Sequence, residues 1–115
     1  MPHARALLIA MLDADVSDEE DFNRWYDEEH IRDRLECPGF ISARRFEVVD
    51  GSPKYLTIYE LESPESLESA EYRALFASPS ERTKRMVAGM KGVVRSVYIE
   101  RGEPRYSSNE ARGNG

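Results

Sequence analysis

The chain has 115 residues, 16 of them basic and 22 acidic, for a formal net charge of −6. That length suits one domain with a hydrophobic core of its own, and an acidic balance without a basic stripe excludes a phosphate-neutralising nucleic-acid surface. A single cysteine, Cys37, excludes an intrachain disulfide and points to a reducing compartment, so the expected location is cytoplasmic.

The apolar run from Ala6 to Leu12 is too short to cross a bilayer. Arg5 precedes it, but Asp13 and Asp15 follow at once and no small-residue cleavage site appears, so it reads as neither a signal peptide nor a membrane anchor. It reads instead as a strand over about residues 4–13. Leu7, Ile9 and Met11 alternate with Ala6, Leu8, Ala10 and Leu12, and a strand apolar on both sides belongs in the middle of a covered sheet. Ser17 with Glu20 three residues on forms a capping box, and Asp18, Glu19, Glu20 and Asp21 suit the positive end of a helix dipole. That helix runs to about Leu35, where Pro38-Gly39 turns the chain.

Phe40 to Val49 and Tyr55 to Leu61 read as the second and third strands, joined as a hairpin through Asp50-Gly51-Ser52-Pro53. Ser63-Pro64 opens a second helical region, and Ser78-Pro79-Ser80-Glu81 repeats the start signal, so two pieces are expected over about 64–76 and 79–88. Val93 to Ile99 is the fourth strand. From Gly102 the chain turns polar and glycine-rich, which divides it into a domain over 1–102 and a tail over 103–115, disordered or lying on a partner.

This β-α-β-β-α-β order is the signature of an α+β, ferredoxin-like sandwich with an antiparallel sheet of order 4-1-3-2. Two helices cover one face of such a sheet, yet the strands carry apolar residues on both. An identical sheet is the simplest cover for the second face, so a homodimer with its sheets packed together is expected.

The first helix carries a conflict between pattern and polarity. At roughly 100° per residue, Trp25, Tyr26, Glu29, His30 and Asp33 all fall within about 80° of Phe22. Ionisable groups in a core stripe cost free energy unless they are paired or line a cavity, so this stripe points to a small-molecule pocket. Ile31 and Leu35 lie on the opposite side, which fits a helix that bends before its end.

Trp25-Tyr26-Asp27-Glu28-Glu29-His30, then Pro38-Gly39-Phe40, then Tyr55-Leu56-Thr57-Ile58-Tyr59-Glu60-Leu61 resemble the dimeric α+β barrel superfamily, and within it the EthD-like proteins. The likeness runs from Ala4 to about Arg101. It implies a pocket between helices and sheet in each protomer, with His30 facing it. The superfold hosts monooxygenases, isomerases, cyclases and lyases, so resemblance alone does not choose a reaction.

His30 is the candidate acid or base, being the side chain best able to exchange a proton near neutrality. The plainer alternative is a helix-end histidine bonded to a carbonyl or to Glu29. Glu29 and Asp33 either orient His30 and bind a polar substrate group, or pair with Arg34, Arg44 or Arg45 and face solvent. Trp25, Tyr26, Phe40 and Tyr59 are candidate walls of the pocket, or core residues. Arg44 is the candidate to hold an anionic substrate group, against a plain edge-strand role for Arg44 and Arg45. Cys37 has no obvious base beside it. With one well-placed histidine no metal site is expected, and no glycine-rich phosphate loop, CxxC pair or serine triad is present, so no cofactor is expected either. The expected function is cofactor-independent proton-transfer chemistry (isomerase, cyclase or lyase) on an apolar or aromatic small molecule. The alternatives are a non-catalytic small-molecule-binding or accessory protein and a cofactor-free monooxygenase.

Overall fold

Apolar side chains on both sides of the first strand put it inside a sheet. In a computed structural model, which describes residues 6–109, β1 (Ala6–Ala14) lies between β3 (Tyr55–Leu61) and β4 (Met90–Ile99), and β2 (Phe40–Glu47) forms the far edge beside β3. All pairings are antiparallel, and the order β2-β3-β1-β4 is that of the expected ferredoxin-like α+β sandwich. His3 and residues 110–115 of the tail lie outside the described residues, while 103–109 are exposed and without regular structure.

The two sides of the sheet differ. Ala6, Leu8 and Leu12 are buried under the helical layer, together with their β3 partners Leu61, Tyr59 and Tyr55. Leu7, Ile9 and Met11 face the other way and are only half-buried. They share that open face with Ile58, Leu56, Phe46, Val94 and Tyr98, of which Val94 is 46% and Tyr98 55% exposed.

Two β-bulges set which residues face which side. One lies in β2 between Phe40 and Ser42, so that Phe40 opposes Leu61 but Ser42 opposes Glu60. The extra residue, Ile41, reverses the alternation beyond it. The other lies where β1 meets β4, with Gly92 at φ +58° supplying the left-handed residue. Gly39 is required in the turn before β2. Its φ is +85°, and a Cβ there would run into the Ser66 side chain.

The helical layer departs from expectation in three places. Asp18 rather than Ser17 caps the first helix, its Oδ1 accepting the Asp21 N–H at 3.0 Å. The second region is a 3-10 turn (Pro64–Glu68) leading into α3 (Ala70–Ala74), and α4 (Glu81–Ala88) is capped by Ser80 rather than Ser78. The first helix is not one α-helix. It consists of α1 (Glu19–Trp25), a π-helical turn (Tyr26–His30) and α2 (Ile31–Leu35). The Ile31 N–H reaches back five residues to the Tyr26 carbonyl.

A wide turn of this kind takes in one extra residue, so everything after it is set back by roughly 100° from the α-helical phase. Ile31, which an unbroken helix turns outward, thereby packs inward. It touches both clusters of buried residues, one built on Phe22, Trp25, Tyr26 and Leu12 and the other on Leu8, Tyr59 and Leu61.

Candidate functional site

The two core clusters do not merge. Leu8 and Tyr59 from one and Leu12 and Tyr26 from the other line a cavity of about 800 Å³, roofed by the π turn, α2, the α3–α4 segment and the near side of β4. That volume is in the range that small organic molecules occupy. Glu29, His30, Asp33, Arg34, Tyr59, Tyr72 and Arg95 are its main polar lining.

His30 projects from the last residue of the π turn. Its ring lies against Trp25 and Tyr26, with centroids at 4.8 and 4.6 Å. Among the described residues neither ring nitrogen has a hydrogen-bond partner. Burial, reinforced by the positive charges of Arg34 and Arg45, pushes its pKa down to about 3. The imidazole is therefore neutral at physiological pH, one ring nitrogen free to accept a proton and the other carrying an N–H.

Tyr59 presents the complementary group. Its hydroxyl is buried and has no hydrogen-bond partner among the described residues. The nearby Tyr26 hydroxyl accepts a bond from Thr57 Oγ1 at 3.2 Å, which leaves its own O–H free beside Tyr59. Burial raises the Tyr59 phenol far above its ordinary pKa, Tyr26 adds to that, and Arg34 opposes it. A neutral phenol with an unused donor is suited to an acceptor oxygen brought in by a ligand.

The carboxylates at the rim are already occupied. Glu29 accepts hydrogen bonds from Thr83 Oγ1 at 3.0 Å and Ser80 Oγ at 3.3 Å, with Arg82 at 3.9 Å. Thr83 in turn accepts the Trp25 indole N–H at 3.1 Å, so one hydroxyl ties the first helix to α4 at two points. Asp33 pairs with Arg32 at 3.2 Å. Both carboxylates face the cavity, but neither hydrogen-bonds to His30. Among the described residues no three His, Cys, Asp or Glu side chains converge on a point that would hold a metal ion.

The remaining candidates divide. Tyr26 and Tyr59 line the cavity. Trp25 is fully buried behind it, and Phe40 stacks on Tyr72 and meets Tyr59 edge to face rather than lying on the cavity wall. Arg44 faces the other side of the sheet, opposite Ile58 and over the Phe46 ring at 5.1 Å, and is not part of the cavity. The β2 bulge is the reason. Plain alternation from Phe40 places Arg44 on the helix side, and the extra residue gives that side to Arg45 instead.

Arg45 lies over the Tyr26 ring at 4.3 Å and bonds to Asn23 at 2.8 Å and Asp27 at 3.1 Å. Sequence reasoning missed Arg34, Tyr72 and Arg95 as lining residues. Arg34 was visible four residues after His30, but its side required knowledge of the π turn, and Arg95 required the strand register.

Residues 7–111 match the model of a family described as "Domain of unknown function (DUF4286)". No curated protein matches the chain. Among solved structures the chain is similar to an EthD family protein of Bacillus halodurans, with 20% identity and a TM-score of 0.60 over 84% of this chain and 99% of that one. It is similar to SnoaB, a cofactor-independent oxygenase of Streptomyces nogalater, with 12% identity and a TM-score of 0.63 over 87% and 96%. It is also similar to a dimeric ferredoxin-like protein from an uncultured marine organism, with 17% identity and a TM-score of 0.62 over 90% and 94%. At such identities these likenesses establish the fold and leave the chemistry open. No helix among the described residues is long and apolar enough to cross a membrane.

Proposed function

The chain belongs to the DUF4286 family, whose description names no activity, and from that premise we propose that it is a cofactor-independent enzyme moving a proton on an apolar, cyclic or aromatic small molecule. The observation that carries this reading is the pair of unpartnered groups in one cavity, the neutral His30 imidazole and the Tyr59 phenol. Polar groups left without a partner beside a cavity are available to a ligand.

In the proposed step His30 accepts a proton from a carbon next to a substrate carbonyl. The C–H bond electrons move into the carbonyl, and the resulting enolate oxygen takes the Tyr59 hydrogen bond. An imidazole kept neutral by burial is a weak base by itself, and the negative enolate supplies the counter-charge that supports its protonated form. Return of the proton to another carbon is an isomerisation, and attack of the enolate carbon on a second carbonyl is a cyclisation. Glu29, tied to Ser80 and Thr83, holds the π turn against α4 and acts by positioning. Asp33 serves as a second polar group at the rim, and Tyr26 as a wall.

Exchange of the α-carbon protons of 2-tetralone for deuterium in D2O, followed by NMR, tests this reading. The protein accelerates exchange over buffer, and His30→Asn lowers the acceleration by about 100-fold or more while 2-tetralone still broadens the cavity resonances. Equal rates for wild type and variant, with binding retained, leave a non-catalytic binding protein as the reading.

The open face of the sheet supports a second proposal, that two copies pack sheet against sheet. Its apolar area is far from the helices, and a fold relative is a dimeric ferredoxin-like protein. Placing a charge at its centre with Ile58→Lys converts the dimer to a monomer in sedimentation, and a wild-type monomer at micromolar concentration refutes the pairing. The single cysteine supports a cytoplasmic setting, and the polar tail from residue 103 is proposed to stand outside the folded domain.

A further inference from the structure

The charges lining the cavity are unequally satisfied. Its carboxylates have partners, Glu29 in Ser80, Thr83 and Arg82 and Asp33 in Arg32. Two of its guanidinium groups have no carboxylate partner among the described residues. Arg34 donates only to the His30 carbonyl, at 3.2 Å, and lies over the Phe76 ring at 5.5 Å. Arg95 donates to the Tyr72 hydroxyl at 3.1 Å. Tyr72 and Phe76 pack edge to face at 5.2 Å, so the two arginines flank one aromatic wall.

Arg34 is half-buried, and its charge reaches both His30 and Tyr59. A half-buried guanidinium with most of its donors unused is a strong recognition element for a carboxylate, through two parallel N–H···O bonds. Leu8, Ala10 and Leu12 of β1 and Val87 of α4 add apolar lining. The cavity thus has a cationic end and a greasy body.

We propose that the aromatic wall at Arg34 is a carboxylate subsite, so that the molecule the cavity takes is an aromatic or cyclic carboxylic acid. Arg34 holds the carboxylate, Arg95 adds positive charge to the same wall, and the ring body lies against the β1 leucines. This deepens the reading of the cavity as a ligand site and does not depend on His30 transferring a proton.

The test compares two probes of one shape, 1-naphthoate and the neutral 1-naphthalenemethanol, by NMR titration of the full chain. Naphthoate binds at least tenfold more tightly. Raising sodium chloride from 50 to 500 mM weakens naphthoate several-fold and leaves the alcohol unchanged, a readout that needs no variant. Arg34→Gln removes the preference for the acid without changing affinity for the alcohol, and Arg95→Gln reduces the preference by a smaller factor. His30→Asn leaves the preference intact, so a protein that prefers naphthoate but fails to exchange 2-tetralone protons keeps the subsite and loses the catalytic reading. Equal affinity for the two probes, or an Arg34→Gln variant that loses both alike, overturns the subsite.

Discussion

The two halves of the first helix treat the same stripe in opposite ways. In α1, Phe22 and Trp25 are sealed at 0% exposure, and the one polar atom of that pair, the indole N–H, is bonded to Thr83. At the end of the π turn the stripe continues as His30, half-buried with both ring nitrogens unpartnered, beside a cavity instead of a packed neighbour. The same backbone element is a structural anchor at one end and a presenting arm at the other. The wide turn marks the change. It lets the anchor keep its fit against the sheet while the following residues take a phase that a regular helix denies them.

That contrast is broken most severely from the anchored end. Trp25→Ala opens a cavity and removes a buried aromatic, a loss of about 3–5 kcal/mol in urea unfolding, whereas His30→Asn is expected to change stability at neutral pH by less than about 1 kcal/mol. If the two variants lose comparable stability, His30 is a packing residue and the contrast fails. Thr83→Val is smaller and sits on the boundary. It leaves the Trp25 indole N–H without its acceptor and takes one donor from Glu29, for about 1–3 kcal/mol by the same measurement.

The last effect is confined to acid. Unfolded, His30 takes up its proton near pH 6.5, while the folded chain resists until about pH 3. The unfolded state therefore binds more protons across that window, and stability falls as pH drops through it, by at most about 1.4 kcal/mol per pH unit. Above the window the contribution is level. His30→Asn lacks this slope, so the variant gains on the wild type between pH 6 and pH 4, and parallel pH profiles for the two contradict a buried neutral imidazole.

Much of this was legible in the residues. Strand order followed from Leu7–Met11 alternating with Ala6–Leu12 in a β-α-β-β-α-β chain, and His30 stood out because a histidine and two acids occupied a stripe begun by Phe22. What was hidden depends on single-residue irregularities that periodicity averages over. A helical wheel assumes a constant turn, so it set Ile31 outward and gave no sign that Arg34 reaches the cavity. Strand alternation assumes no bulge, and the one in β2 decides that Arg45 rather than Arg44 takes the helix side. Ser17 lost the cap to Asp18 because both satisfy the chemistry of the position and only the backbone decides between them. Glu29 looked like a partner for His30, and the deciding competitor, Thr83, lies 54 residues away in the chain.

The central claim, an uncharged His30 facing the cavity, is tested most directly by an NMR titration of the imidazole resonances. The chain has two histidines, and the His30→Asn spectrum assigns the signals. The ring is expected to stay neutral down to about pH 3, and its resonances to shift when 2-tetralone is added at pH 7. A midpoint near pH 6.5, with no response to the ketone, would contradict it.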